Sequence, residues 1–292
     1  MRTAPVLIAL VAALADLGAQ PRPAPGQSVV LITGATSGLG REVAQRLAAA
    51  GAHVIVHGRD SARAREVLDA IAQGGKGSAR FYAADLASNA DIRRFAGEIL
   101  RDYPRLDVLV NNAGIGSTPN ERSVTAEGVE MRMQVNYLSN VLLTRLLLPR
   151  LLASAPARIV NVSSLSASPI DFDDVMIANR FSGGRAYGQS KLAQVMFTID
   201  LAAELEGKGV TVNALHPATM MPTGMVLRGG YTPRSTIDDG ARAVLHLVQD
   251  ADAGTGQFFN GLNPGRAHAQ AYDVAVRARL RELSERLVGL RR

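Results

Sequence analysis

The strongest constraint on the fold is a regular alternation between short apolar runs and longer amphipathic stretches. The apolar runs, rich in β-branched residues, lie at 29–33, 52–56, 79–84, 106–110, 158–162, 210–215 and 257–259. Helical patterns lie at 40–50, 61–73 and 89–103, within 124–152, and at 186–206, 237–249 and 272–287. Helices between successive strands act as the crossover connections that parallel strands require. The sequence therefore predicts an α/β fold with a doubly wound, mainly parallel sheet of seven strands flanked by helices.

Residues 27–292 are predicted to form one domain, because no linker or internal repeat follows residue 26. Hydrophobic residues make up 47% of the chain, which is enough for a sizeable core. Residues 1–26 form an N-terminal extension, in which Arg2 precedes an apolar run at 5–15 and a proline-rich stretch at 21–26. This pattern resembles a secretory signal or an anchor, although the run is short for a bilayer span. A loosely ordered extension is the alternative.

Charge and cysteine content exclude several functions. The formal net charge is +6, and arginines gather near the C-terminus, where they alternate with Glu282 and Glu285. No aromatic residues interleave with them, so a solvated helix face is favoured over a nucleic-acid surface. The chain has no cysteine, which excludes disulfides, thiolate catalysis and zinc–thiolate sites.

A glycine-rich turn follows the first predicted strand and precedes the first helix. It contains Gly34, Gly38 and Gly40 within the run Thr33 to Gly40. Glycines at such a turn let the backbone approach a pyrophosphate, and the helix N-terminus supplies free N–H groups. The turn therefore predicts dinucleotide binding on a Rossmann-type sheet.

The end of the second strand indicates which nicotinamide cofactor binds. A carboxylate there would bond the ribose 2′-hydroxyl of NAD and repel a 2′-phosphate. This chain has Arg59 instead, whose guanidinium suits a phosphate, and Arg41 adds positive charge nearby. We expect NADP rather than NAD. Asp60 is expected to cap the following helix.

Tyr187 and Lys191 are separated by four positions in a predicted helix, which places both side chains on one face. A nearby ammonium group favours the phenolate and lowers a tyrosine pKa, so that the tyrosine exchanges protons with a reacting oxygen. The spacing alone is common on helices and is not diagnostic of catalysis.

Further motifs in the same order along the chain make the sequence resemble the short-chain dehydrogenase/reductase family. They are Asp85-Leu86 after the third strand, Asn111-Asn112-Ala113-Gly114 after the fourth, Asn136 in a helix, Ser163-Ser164 after the fifth strand, and then Tyr187 and Lys191. The resemblance covers nearly the whole chain. The run Arg158 to Leu165 and a long segment before Tyr187 resemble the retinol dehydrogenase-like and protochlorophyllide reductase-like branch.

The resemblance implies roles for individual residues. Ser164 would bond the substrate oxygen, Tyr187 would transfer the proton, and Lys191 would lower the tyrosine pKa and bond the nicotinamide ribose. Asn136 would kink its helix and hold a water that links Lys191 to solvent; helix-to-strand bonding is its alternative role. The cofactor-binding residues implied are Gly34, Ser37, Gly38, Leu39, Gly40, Arg59, Asp85, Leu86, Asn112, Ala113, Gly114, Tyr187, Lys191, Pro217 and Thr219.

Three features depart from the common family pattern. Ser164 and Tyr187 lie 23 positions apart, and the intervening insert at 171–184 carries three aspartates without a histidine, so we expect a solvated loop and no metal site. Ala218 stands where glycine is usual, which makes cofactor contacts there uncertain. The substrate flap at 220–236 contains Met220, Met221, Met225, Leu227 and Tyr231. These side chains favour an apolar substrate, or they simply pack the flap onto the domain.

We therefore predict an oxidoreductase that transfers a hydride between NADP(H) and a carbonyl or alcohol group of a small, apolar molecule. An epimerase or dehydratase of the same fold, or a non-catalytic NADP-sensing protein, are the alternatives. We expect no nucleic-acid partner, and membrane contact only through residues 1–20. The cytosolic pool of reduced cofactor favours a cytoplasmic location over export or anchoring. The family pairs through helices corresponding to 124–152 and 186–206, whereas a monomer would cover that surface with its terminal helix.

Overall fold

The computed structural model describes residues 20–250 and 252–290, and these contain one eight-stranded sheet. The strands are β1 Val29–Ile32, β2 His53–Gly58, β3 Ser78–Ala83, β4 Val108–Asn111, β5 Ala157–Val162, β6 Val210–His216, β7 Phe258–Asn260 and β8 Asn263–Gly265. Their order is β3-β2-β1-β4-β5-β6-β7-β8. The first seven strands are parallel, as predicted, and the prediction of seven strands lacks only the short antiparallel β8.

Helices cover both faces of the sheet. They are α1 Gly38–Ala49, α2 Ser61–Gly74, α3 Asn89–Asp102, α4 Ser139–Ala153, α5 Gly183–Glu204, α6 Gly224–Arg228, α7 Ile237–Gln249 and α8 Val274–Leu287. One core cluster joins the sheet to α1, α2 and α7. A second joins the opposite face to α3, α4, α5 and α8. Because strands buried on both faces need apolar residues at every position, the strands read as continuous apolar runs rather than alternating ones.

Side-chain caps define several helix starts. Asp60 accepts a hydrogen bond from the Arg63 backbone N–H at the start of α2, as the sequence predicts. Thr236 and Asp239 form a reciprocal capping box at the start of α7. Such caps satisfy N–H groups that have no partner within the helix. The predicted bounds of α7 are confirmed at both ends.

The helix predicted within 124–152 is shorter and less regular than its sequence pattern indicates. Residues 124 and 130 pair in an isolated antiparallel bridge, and helical structure begins at residue 131. Met133–Leu138 then form a π-helical segment, which leads directly into α4. A π-helical turn inserts one extra residue per turn and often lies at functional sites.

The terminal helix α8 packs against α5. Arg277 and Arg281 both bond the carboxylate of Asp200 on α5, at 2.6 and 2.8 Å. The Tyr137 hydroxyl lies 2.8 Å from the Ser284 hydroxyl. The terminal helix α8 therefore covers part of the surface of α5.

The predicted N-terminal extension is described only from residue 20 onwards. Residues 1–19 of the predicted extension lie outside the described residues. Within residues 20–250 and 252–290, no helix combines the length and the apolar character needed to cross a bilayer.

Candidate active site

The order of the strands reverses between β1 and β4, and the carboxyl ends of these strands open a crevice there. Ligands of doubly wound sheets bind at this place. The glycine turn leaves β1 at this point. The Asn112 side chain, just after β4, donates to the carbonyl oxygens of Thr33 and Gly34 at 2.8 and 3.3 Å. Thr33 in turn accepts the N–H groups of Asn112 and Ala113 through its hydroxyl, each at 3.0 Å.

The glycine turn is packed so closely that side chains have no room. A Cβ at Gly40 would collide with the Gly34 carbonyl oxygen and lie 2.5 Å from Nδ2 of Asn112. Gly34 and Gly38 have positive φ angles of 66° and 54°, which favour glycine. The predicted role of these glycines, a tight turn with an accessible backbone, fits this geometry.

The start of α1 presents groups that suit a phosphate. Ser37 is the N-cap, and its hydroxyl makes no capping hydrogen bond. The first turn contains no acidic residue. Free N–H groups and the helix dipole favour an anion at such a position. The Leu39 side chain, in the first turn of α1, is buried in the core. Only its backbone is therefore available to a cofactor.

Arg59 and Asp85 follow β2 and β3 and lie side by side. Arg59 Nη1 is 3.8 Å from Asp85 Oδ1, and the Arg59 side chain is 72% exposed. Its guanidinium is therefore accessible to a ligand. Leu86 is buried in the core, so any adenine contact falls to Asp85 and the backbone. Arg41 is paired with Glu66 at 3.4 Å, which reduces its predicted contribution of positive charge.

His57 lies directly beneath the glycine turn. Its Nδ1 accepts from the Gly34 N–H at 3.2 Å, and its Nε2 lies 3.2 Å from the Ala84 carbonyl oxygen. Burial lowers the pKa of His57 to about 4, so the imidazole is neutral at neutral pH. A neutral ring offers the acceptor that the Gly34 N–H requires. No sequence pattern around His57 predicts its contact with the glycine turn.

Tyr187, Ser164 and Lys191, the residues to which the resemblance gives catalytic roles, lie close together. Tyr187 and Lys191 lie on α5, with the Lys191 amine 5.7 Å from the centroid of the Tyr187 ring. Burial raises the pKa of Tyr187, and a hydrogen bond with Ser164 opposes that rise. Ser164 itself is held at the end of β5, where its hydroxyl accepts from the Ser166 N–H at 3.1 Å. The resulting phenol is predominantly protonated at neutral pH.

Ser163 has a different role from its neighbour. Its hydroxyl donates to the Lys191 carbonyl oxygen at 2.7 Å. Because this bond joins the end of β5 to α5, Ser163 positions the helix and leaves Ser164 to face the tyrosine. The sequence-based choice of Ser164 over Ser163 agrees with this placement.

Asn136 sits in the π-helical segment and is fully buried. Its Oδ1 accepts from the Ile115 N–H at 2.8 Å, and its Nδ2 donates to the Ile115 carbonyl and the Ser190 hydroxyl. The side chain therefore joins the segment after β4 to α5. The helix is distorted at Asn136, and the side chain bonds the segment after β4 and α5 rather than a strand.

Gly114 lies next to Asn136 and Lys191. A Cβ at Gly114 would lie 3.3 Å from Asn136 Oδ1 and 3.5 Å from Lys191 Nζ. The predicted cofactor residue Gly114 thus borders the two predicted catalytic residues directly.

The segment after β6 carries Pro217, Ala218 and Thr219. The Thr219 hydroxyl lies 3.0 Å from Nε2 of His216, and its carbonyl accepts from the Ser235 hydroxyl at 2.7 Å. Thr219 is exposed and Pro217 is buried. Thr219 is therefore held by His216 before it and by Ser235 at the far end of the flap.

The segments after β5 and β6 carry exposed apolar side chains. Leu165 and Leu227 are 51% and 56% exposed, which is unusual for leucine in a folded chain. Met225 contacts Gly116, whereas Met221 packs against the core near Gly240. Both methionines therefore pack the flap onto the domain, and their predicted contact with an apolar substrate stays a prediction.

The insert at 171–184 is an ordered loop. Ile170, Val175 and Ile177 are buried, and Asp174 accepts the N–H groups of Ala178 and Asn179. Asp171 forms an ion pair with Arg185 at 3.0 Å. The aspartates of the insert serve as turn caps and ion-pair partners. Among the described residues, no group of histidine, aspartate and glutamate side chains is arranged to hold a metal ion.

Arg132 is a second structural residue that the sequence analysis missed. Its guanidinium is buried and bonds the carbonyl oxygens of Gly116, Ser117 and Pro119, as well as Glu130. It fixes the loop that follows β4, next to the flap. A lone arginine in a predicted helix gives no sequence signal of this role, because only the folded loop places the three carbonyls together.

Comparison with known proteins agrees with this geometry. The family model described as short chain dehydrogenase matches residues 28–228. The chain belongs to the short-chain dehydrogenase family. The predicted family and enzyme class, an oxidoreductase, are thereby confirmed. Human retinol dehydrogenase 13 is 38% identical, over 91% of this chain and 86% of that protein.

Solved structures of this family have the same fold. A crystal structure of a protein from Mycobacterium Paratuberculosis superposes with a TM-score of 0.75 and 32% identity, covering 91% of this chain and 95% of that chain. The Pseudomonas aeruginosa protein RhlG, solved as an active-site complex with NADP, has a TM-score of 0.66 and 28% identity. It covers 82% of this chain and 97% of its own.

Proposed function

We propose that this short-chain dehydrogenase transfers a hydride between NADP(H) and a carbonyl or alcohol group of a small, apolar molecule. The observation that carries the proposal is the convergence of Ser164, Tyr187 and Lys191 beside the glycine turn. A hydroxyl hydrogen-bonded to a buried phenol, with an amine on the same helix face, can bind a carbonyl oxygen and supply its proton.

The residues of the turn and the strand ends fit the cofactor. Ser37 and the N-terminus of α1 would hold the pyrophosphate, because their donors have no capping partner. Arg59 would bind the 2′-phosphate, since its guanidinium is exposed and no carboxylate follows β2 at that position. Several structural relatives, RhlG among them, are complexes with NADP or NADPH, which supports this choice.

When bound, NADPH would supply the hydride for reduction of a carbonyl. Ser164 donates a hydrogen bond to the carbonyl oxygen, and Tyr187 gives that oxygen its proton, so that an alcohol forms. Burial raises the pKa of Tyr187 and keeps it protonated, which is the form that reduction requires. Lys191 would bond the nicotinamide ribose and stabilise the phenolate left after transfer, while Asn136 holds the adjoining backbone.

Exposed apolar residues in the segments that follow β5 and β6 support an apolar substrate. Leu165, Leu227 and Tyr231 are solvent-exposed in the loops that follow β5 and β6. The relatives named retinol dehydrogenase, at 36–38% identity, support an alcohol or aldehyde on a hydrophobic molecule. Neither observation selects one compound, so the proposal stays at the level of the substrate class.

The decisive experiment measures NADPH consumption with a panel of aldehydes and ketones that runs from short and polar to long and apolar. We expect turnover that improves with apolar length, and a loss of about 10²–10⁴-fold in kcat for Tyr187→Phe. Tyr272→Phe is the matched control, because that hydroxyl accepts from the Ala267 N–H outside the site. Undiminished turnover in Tyr187→Phe would overturn the mechanism.

Two other outcomes would select the alternatives. Tight NADPH binding without turnover of any compound points to a sensing protein. Conversion of substrate without net consumption of cofactor points to an epimerase or dehydratase. We also propose a cytoplasmic location, on the argument of cofactor supply, and the mass of the mature chain tests it by showing whether the N-terminal residues are retained.

A further inference from the structure

Gln194 lies on α5 close to Lys191 and is only 1% exposed. Its Oε1 accepts a hydrogen bond from Lys191 Nζ at 3.0 Å. The same amine donates to the Val162 carbonyl oxygen at 2.8 Å. Of these two acceptors, only Gln194 is a side chain, so it is the one that mutation can remove.

The environment of Lys191 makes these acceptors important. The residue is 3% exposed, and burial lowers its pKa to about 7. No carboxylate contributes to that pKa among the described residues. The groups that face the amine are the Val162 carbonyl on β5, Gly114 and Asn136 from the segments that follow β4, and Tyr187 on α5 itself. Neutral oxygens therefore take the place of a counter-ion.

The remaining half of the Gln194 amide shows which contact sets its orientation. Nε2 is buried and has no hydrogen-bond partner within the described structure. An unpaired buried donor is costly. Turning the amide over would place its N–H groups against the lysine amine, so the contact with Lys191 fixes the orientation and leaves Nε2 unpaired.

Gln189 on the same helix provides the contrast. It is also buried, but both ends of its amide are paired: Oε1 with the Asp171 N–H at 2.9 Å, and Nε2 with the Val175 carbonyl at 3.3 Å. Gln189 thus anchors the insert by ordinary backbone pairing. A glutamine that served only to fill the core near Lys191 would have no reason to leave a donor unpaired.

We propose that Gln194 is a positioning residue whose amide oxygen holds the Lys191 amine in place and in its charged form. This inference rests on the proposed function, in which a charged Lys191 stabilises the phenolate of Tyr187. A hydrogen-bond acceptor favours the protonated amine, because it bonds the charged form more strongly than the neutral one. Loss of the oxygen leaves the Val162 carbonyl as the remaining acceptor of the amine, so the pKa of Lys191 falls.

The chain allows the charge of Lys191 to be measured directly. It contains three lysines, Lys76, Lys191 and Lys208, and the other two are exposed. Nuclear magnetic resonance of lysine labelled at the terminal carbon and nitrogen would give three signals, and Lys191→Arg assigns the one of interest. The titration needs neither cofactor nor substrate.

Three variants test the proposal. Gln194→Met keeps the shape but removes the acceptor, and we expect the pKa of Lys191 to fall by about one unit or more. Gln194→Glu adds a carboxylate at hydrogen-bond distance, and we expect a rise of about one to three units. Gln189→Met should leave the pKa of Lys191 unchanged. An unchanged pKa in folded Gln194→Met, or a fall in Gln194→Glu, overturns the proposal.

The pH profile of alcohol oxidation gives the second readout. Oxidation needs the phenolate of Tyr187, so a less charged Lys191 should move the rise in kcat/KM to higher pH in Gln194→Met, and Gln194→Glu should move it to lower pH. Opposite shifts in two variants at one position cannot come from general loss of folding. If the lysine pKa shifts but no variant or wild-type protein turns over a substrate, the proposed function fails and the role of Gln194 stands. If wild type is active and the lysine pKa does not respond to Gln194, the inference alone fails.

Discussion

The two sides of the crevice are built in opposite ways. On the cofactor side, the turn from Thr33 to Gly40 is held by backbone and amide contacts at fixed distances, with no space for a Cβ at Gly40. On the substrate side, the flap at 220–236 is exposed along most of its length, and Leu227 and Tyr231 stand in solvent. The shape of the cofactor side is fixed because no other side chains fit there. The shape of the substrate side depends on exposed side chains that can change conformation.

This difference has a functional reason. A cofactor is constant, so the backbone that binds it gains from rigidity and from donors fixed in advance. A surface that accepts apolar molecules gains from flexible side chains, such as Met225, that fill irregular space. We therefore expect mutations on the cofactor side to act through binding and stability. Mutations in the flap should act through substrate preference alone.

The largest effect is expected from Gly40→Ala. The new Cβ would collide with the Gly34 carbonyl and the Asn112 amide, both of which the turn fixes in place. NADPH binding should be lost, by more than about 100-fold in Kd, and the free energy of unfolding should fall by about 1–3 kcal/mol. Cofactor fluorescence and urea unfolding measure the two quantities.

Gly97→Ala is the matched control for this prediction. Gly97 lies on the exposed face of α3, and a Cβ there would meet nothing within 4 Å. Alanine favours a helix over glycine by up to about 1 kcal/mol, so this variant should be slightly more stable and bind NADPH normally. Equal loss of binding in both variants would show that rigidity at the turn is not the cause.

The second prediction concerns acid. His53 and His57 are buried at opposite ends of β2, with His57 at the cofactor end, and burial lowers the pKa of each to about 4. In the unfolded chain an ordinary histidine takes up its proton near pH 6.5. The stability that these neutral rings contribute is therefore complete above about pH 6.5 and is lost as the pH falls from there towards 4. The expected loss is about 3 kcal/mol for each ring.

Urea unfolding at a series of pH values tests this dependence. His57→Asn keeps an acceptor for the Gly34 N–H but does not titrate in this range. We expect its unfolding free energy to fall less steeply with acid than that of wild type. If both proteins lose stability in parallel, His57 is not a source of the acid sensitivity.

Elements that depend on local patterns could be predicted from the sequence, and elements that depend on distant contacts could not. The seven parallel strands and the bounds of α7 follow from local patterns, since buried strands need continuous apolar runs and a helix needs its cap. The strand β8 could not be predicted, because its three residues, Asn263–Gly265, carry no apolar pattern and are held only by pairing with β7. The π-helical segment depends on contacts of Asn136 with a distant loop.

The site divides in a similar way. A catalytic role for Tyr187 and Lys191 could be predicted only because family motifs accompany them in the sequence. In the structure, Ser164 from one of these motifs lies beside Tyr187. Gln194 and His57 gave no such signal, because a buried glutamine or histidine reads as an ordinary polar residue near the core. Their roles depend on which atoms face Lys191 Nζ and the Gly34 N–H, and only the packing of α5 and β2 determines that.

The third prediction tests cofactor choice without disturbing the turn. Arg59→Gln removes an exposed cation while the backbone below it is unchanged. We expect NADPH to bind about tenfold more weakly and NADH to bind as before, since only the 2′-phosphate loses a partner. Arg63→Gln, which removes a neighbouring exposed cation on α2, is the control. Equal weakening of both cofactors in Arg59→Gln would mean that the arginine does not recognise the phosphate.

The smallest effect is expected from the flap, and it tests most directly whether the two sides of the crevice act independently. Leu227→Ser removes an exposed apolar side chain beside the site, so a long apolar aldehyde should show a KM raised by about fivefold. A short polar aldehyde should keep its KM, and the Kd of NADPH should not change. Val274→Ser is the control, because Val274 is also an exposed apolar residue and lies at the start of α8. A change in NADPH affinity in Leu227→Ser would mean that the flap also shapes the cofactor side, and the division between a rigid and an adaptable side of the crevice would then be wrong.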